Sequence, residues 1–118
     1  MDNIKETSYG YDIAWANTEN YCGKILVFNR PVKTDLAFEK TREKTWFINS
    51  GDFRIRWIDT NTGKLFEKHV KEGNVFHVAP LMPVSIESLT SDGSIAEVST
   101  PQIENDKYCV IPAENIGD

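Results

Sequence analysis

Turn signals recur at short intervals through the middle of this chain: Asn49-Ser50-Gly51-Asp52, Asp59-Thr60-Asn61-Thr62-Gly63, Lys71-Glu72-Gly73-Asn74 and Ser91-Asp92-Gly93. Each separates two runs rich in β-branched and aromatic residues. The runs read as strands at Lys24–Phe28, Leu36–Phe38, Thr45–Ile48, Phe53–Ile58, Leu65–Val70, Val75–Val78, Val84–Leu89 and Ile95–Val98. Phe53, Ile55 and Trp57 share one face and Arg54 and Arg56 the other, the period-2 pattern of a strand with one side buried. No stretch carries a 3.6-residue apolar stripe, which leaves room only for a short helical turn within Glu104–Tyr108 or the first dozen residues. About eight short antiparallel strands in 118 residues imply an all-β sandwich, barrel or double-sheet jelly roll.

Length allows one domain, 1–118, with a barrel core at about 21–101. The polar N-terminal segment with Tyr9, Tyr11 and Trp15, and the proline-bearing C-terminal segment, wrap the barrel or cover an edge strand. Thirteen Lys and Arg against eighteen Asp and Glu give a net charge of -5, so the basic footprint of a nucleic-acid binder is missing. No apolar run is long enough to span a membrane and the first residues lack a signal-peptide core, which places the expected protein in the cytoplasm. Cys22 and Cys109 form no CxxC pair; they read as two plain thiols, with a disulfide joining the two end segments as the alternative.

Three stretches carry a family resemblance: Leu36 to Gly51, Glu72-Gly73-Asn74-Val75-Phe76-His77-Val78-Ala79-Pro80, and Glu97-Val98-Ser99-Thr100-Pro101. Together they resemble the cupin superfamily, in particular the C-terminal region of mannose-6-phosphate isomerase / mannose-1-phosphate guanylyltransferase. A Tyr-x-x-Lys-x-Leu strand of those proteins is matched at Tyr21-Cys22-Gly23-Lys24-Ile25-Leu26, and a Thr-Trp-Tyr-Val-x-x-Gly strand and turn at Thr45-Trp46-Phe47-Ile48-Asn49-Ser50-Gly51. The closing Glu-Val-Ser-Thr-Pro is present letter for letter. The resemblance implies a double-stranded β-helix (cupin jelly-roll barrel), a sugar or sugar-phosphate ligand, and homodimers.

The metal-ligand positions of that family have changed. Aligned on Gly51, the first cupin motif places its ligands at Ala37, Glu39 and Lys44; aligned on Gly73, the second places its histidine at Val84. Ala37 and Val84 offer no donor, and the Lys44 ammonium repels a dication, so no metal and no other cofactor is expected there. Glu39 and Lys44, on neighbouring strands, either pair inside the barrel in place of the cation or point out through its mouth. His77 shares the parity of Val75 rather than of a ligand slot, and His69 reads as solvated. Arg54, Arg56, Lys24, Arg30 and Arg42 are either a solvated outer face or phosphate-binding charge at the mouth.

The candidate ligand-binding set is Glu39, Thr41, Lys44, Trp46, Trp57 and His77, with Phe38 and Phe76 as further apolar walls. No catalytic residue is assigned. Three readings remain: a metal-free barrel that binds a small sugar-like ligand, a sugar-phosphate isomerase or epimerase using Glu39 or Lys44, and a filled structural barrel that dimerises.

Overall fold

The computed structural model describes residues 3–117. Eleven strands run in chain order: β1 (Ile4–Glu6), β2 (Gly10–Asn17), β3 (Cys22–Phe28), β4 (Leu36–Glu39), β5 (Lys44–Ser50), β6 (Asp52–Ile58), β7 (Leu65–Lys71), β8 (Val75–Val78), β9 (Val84–Ser88), β10 (Gly93–Ser99) and β11 (Lys107–Ile111). A single 3₁₀ turn follows at Ala113–Asn115. All eight strands read from the sequence are present. The other three lie in the end segments, where β1 and β2 extend one sheet and β11 extends the other. The short helical turns allowed at these places do not form: β2 and β11 are claimed by ladders with β3 and β4, which satisfy their backbone groups.

The strands make two antiparallel sheets, ordered β1-β2-β3-β10-β5-β8 and β11-β4-β9-β6-β7. Gly51, at φ +89, is the corner between β5 in one sheet and β6 in the other, and a Cβ there would fall 2.9 Å from the Asp92 carbonyl oxygen. Inward residues of both sheets fill one end of the barrel: Leu26, Phe28, Ile48 and Ile95 from the first, Phe53, Ile55, Val70 and Ile86 from the second. Phe28 packs edge-on against Phe53 at 5.0 Å and is stacked by Tyr9 at 4.3 Å, and Tyr9 in turn reaches the cavity at the other end. At β6 the apolar face points inward as the alternation requires. Its other face is not solvated at Arg56, which is buried and held by Glu87 at 2.9 Å and Glu67 at 3.6 Å. Both cysteines are free thiols, one in each sheet. Among the described residues no helix is long and apolar enough to cross a membrane.

Candidate functional site

The other end of the barrel is open and holds a cavity of about 770 Å³. Strand register decides what lines it. On the inward face Lys24, Glu97 and Trp46 are directly opposed across β3, β10 and β5, and Ser99 and Lys44 are opposed one step nearer the mouth. From the opposite sheet β4 brings Ala37 and Glu39, and β9 brings Val84, which pairs with Ala37. Arg42, in the loop between β4 and β5, turns inward and is buried beneath them.

These side chains form one continuous chain of alternating charge. Lys44 Nζ lies 2.7 Å from Glu39 Oε1, and Arg42 Nη1 lies 3.4 Å from Glu39 Oε2. Arg42 Nη2 is 3.5 Å from Glu97 Oε2 and donates to Ser99 Oγ at 2.9 Å. Lys24 Nζ sits between Glu97 Oε2 at 3.8 Å and Asp12 Oδ2 at 3.3 Å, and the Tyr9 hydroxyl donates to Asp12 Oδ1. The indole of Trp46 donates to Glu97 Oε1 at 2.8 Å, while Glu97 Oε2 receives no hydrogen bond among the described residues.

Burial alone would raise the Glu39 carboxyl, but Lys44 and then Arg42 outweigh it and hold Glu39 below its ordinary range. Burial, reinforced by the hydrogen bond to Asp12 and its charge, pushes the Tyr9 phenol far upward, so Tyr9 stays protonated. At the rim, the slight desolvation of Asp106 is outweighed by hydrogen bonds from the Thr41 backbone and hydroxyl, which keep its carboxyl low.

Of the residues expected at a site, Glu39, Lys44 and Trp46 come together in the cavity, and Phe38 joins its wall. Glu39 and Lys44 lie on opposite sheets, not neighbouring strands, and meet across the barrel. Thr41, Trp57 and His77 do not line it. Thr41 anchors the C-terminal segment through Asp106; Trp57 packs on Phe66 at 5.8 Å and on Phe76 at 5.1 Å. His77 points outward from β8 and meets Glu43 at 3.0 Å. Asp12, Tyr9 and Glu97 were not legible as site residues. Glu97 had a signal in the alternation Ile95-x-Glu97-x-Ser99, which sets a carboxylate on the inward face.

No family profile and no curated protein matches this sequence. Solved structures do. The capsular polysaccharide assembling protein CapF from Staphylococcus aureus superposes with a TM-score of 0.81 at 15% identity, over 92% of this chain and 32% of that one. Oxalate decarboxylase from Bacillus subtilis gives 0.78 at 17% identity, over 91% and 29%. The fold is that of the cupins. This cupin barrel spans about a third of the length of the chains it matches.

Ala37, Glu39, Lys44 and Val84, the four positions that the sequence resemblance assigns to metal ligands, all line this cavity. Their chemistry does not fit a divalent ion: two lack donors, and the ammonium of Lys44 is hydrogen-bonded to the carboxylate of Glu39. Among the described residues no three His, Cys, Asp or Glu side chains gather as a metal set.

Proposed function

We propose that this chain is a metal-free cupin barrel whose open end binds a small polar ligand of the carbohydrate type, sugar or sugar phosphate. The observation that carries this reading is the Lys44–Glu39 pair, 2.7 Å apart at two positions that the resemblance assigns to metal ligands and on the wall of a cavity large enough for a small molecule. The ammonium supplies positive charge where the resemblance would set a cation, and the polar wall around it gives a ligand fixed hydrogen-bonding partners. Glu39, held low by its two cations, is a weak base, which favours binding over proton transfer. Elemental analysis of protein purified without chelators or a metal-binding tag tests the first half. Metal well below one equivalent per chain is expected, and a full equivalent of zinc, manganese, iron or nickel would overturn it. Titration with sugars and sugar phosphates, followed by thermal shift, tests the second.

A second reading concerns the outer face of the six-stranded sheet. Ile4, Ile13, Ile25, Ala96, Phe47 and Val75 stand opposite one another in a row that crosses every strand of that sheet. The row holds no charge, so two copies can meet across a two-fold axis with no like charges opposed. Five strand spacings of ~4.8 Å by strands averaging ~20 Å give roughly 480 Å² per copy. Twice that area falls below the ~1,200 Å² at which standard specific interfaces begin and is the size of a weak association, and the occupant we assign is a second copy of this chain in a weak homodimer. Sedimentation should show a dimer that Phe47→Glu converts to a monomer with its melting temperature little changed. A wild-type chain that stays monomeric at high micromolar concentration would overturn this reading.

A further inference from the structure

The balance of charge in the cavity narrows the ligand class. Three cations stand on its inner wall, and each already has a carboxylate within 4 Å: Lys24 has Asp12 and Glu97, Arg42 has Glu39 and Glu97, and Lys44 has Glu39. Three carboxylates therefore neutralise three cations. A phosphate group that reaches this inner wall meets no unpaired cation there, and to reach one of the three it must face or displace a carboxylate. The mouth does not reverse this balance, since the exposed Lys5 and Lys107 share it with Glu6, Asp35 and Asp106.

What the wall lacks is a neutral donor for one oxygen, Glu97 Oε2. The Glu97 side chain is only 3% exposed, yet among the described residues its Oε2 receives no hydrogen bond and has Arg42 Nη2 and Lys24 Nζ at 3.5 and 3.8 Å. A buried carboxylate oxygen without a donor is costly. Lys24, at 27% exposed the most accessible group over that oxygen, is the flexible cover that a ligand can move aside. A hydroxyl both donates and accepts, so a polyol can give a hydrogen bond to Glu97, Glu39 or Asp12 and take one from Lys24 or Lys44 without disturbing the neutral chain.

Resting on the reading of this cavity as a small-ligand site, we propose that it takes a neutral polyhydroxylated molecule, with a hydroxyl completing the hydrogen bonding of Glu97 Oε2, and discriminates against phosphorylated forms. The Trp46 indole N–H, bonded to Glu97 Oε1, is a reporter inside the site.

The test is titration of the full chain with glucose, mannose and galactose, with their 6-phosphates, and with inorganic phosphate. Binding is read by calorimetry and by the proton–nitrogen resonance of the Trp46 indole. At least one neutral sugar is expected to move that resonance, with its 6-phosphate at least ~tenfold weaker and inorganic phosphate without effect. Glu97→Gln, which keeps the acceptor for Trp46, should weaken the sugar by ~tenfold. Should that variant fail to fold, Lys24→Met uncovers the same oxygen and should tighten the neutral sugar relative to its phosphate. A 6-phosphate that binds more tightly than its sugar overturns the proposal and leaves the cavity as a ligand site. If none of the seven compounds moves the Trp46 resonance, both readings fall.

Discussion

Replacing Arg42 with methionine tests whether the alternating chain of charge holds this barrel together at its open end. The guanidinium is 5% exposed and faces two carboxylates, Glu39 at 3.4 Å and Glu97 at 3.5 Å, with Ser99 Oγ held by both Nε and Nη2. At an effective dielectric of 20 each charge contact is worth about 5 kcal/mol before desolvation, which takes back several kcal/mol per ion. The variant removes the attraction but leaves the carboxylates behind. Glu39 keeps Lys44 at 2.7 Å, so the loss falls on Glu97, left with Lys24 at 3.8 Å, and on the Ser99 hydroxyl. Breaking one side of a buried pair costs about 3–5 kcal/mol, which in a chain of this size lowers the melting temperature by roughly 10–20 °C. Urea denaturation of Arg42→Met, Glu97→Gln and the double variant, with unchanged m-values, gives the coupling. The double variant should be about 1–3 kcal/mol more stable than the sum of the single losses predicts. A loss below about 1 kcal/mol for Arg42→Met, or strict additivity, would refute the argument that Glu97 is buried on the strength of Arg42.

Glu39→Gln should change the acid limb of the stability curve. A carboxyl held below its ordinary value of 4.5 lends stability above that pH and loses it as the pH falls toward its lowered native value, so the variant should lose less stability than the parent below about pH 4.5. Parallel acid limbs for the two proteins would contradict this. Gly10→Ala places a Cβ 2.2 Å from the Val27 carbonyl oxygen at φ +153, and β2 and β3 must part to admit it. A stability loss of at least ~2 kcal/mol is expected by denaturant melting, and an unchanged midpoint would mean that the β2–β3 ladder is looser than its register implies.

Strand-forming runs between strong turns were readable because their alternation and their punctuation agree, as at Phe53–Ile58 and Val84–Leu89. The strands at the two ends escaped notice for a physical reason. β2 interleaves Asp12, Ala14 and Asn17 with its aromatics, and β11 is exposed along most of its length, so neither carries a buried apolar face. Their pairing partners are what make them strands. The same limit applies to the site. Glu39 and Lys44 were located by their spacing from Gly51, but Arg42 is inward only because its loop is pinned between Ser99 and Glu39, and nothing in Lys40-Thr41-Arg42-Glu43 marks which of those side chains turns in. His77 and Trp57 lie outside the cavity for the opposite reason. Histidine and tryptophan are suited to binding sites, yet β8 turns His77 outward, and Phe66 and Phe76 pack Trp57 outside the cavity wall.

The arrangement also explains how a barrel with Ala37 and Val84 at two of the positions that the resemblance assigns to metal ligands keeps an open end. Ala37 and Val84 are paired across β4 and β9, so the two donorless positions form a continuous apolar patch instead of leaving stranded polar groups. The two positions that remain charged carry opposite signs and meet at 2.7 Å. Substituting Lys44 alone would strand Glu39 with Arg42, and substituting Arg42 alone would strand Glu97, so each charge in the wall depends on its neighbours. Such a network resists change one residue at a time, because a half-satisfied set of buried polar groups is worse than either a complete set or an apolar wall. Among the described residues of this wall the set is incomplete at Glu97 Oε2, beneath the ammonium of Lys24, and it is there that the proposed ligand has most to add.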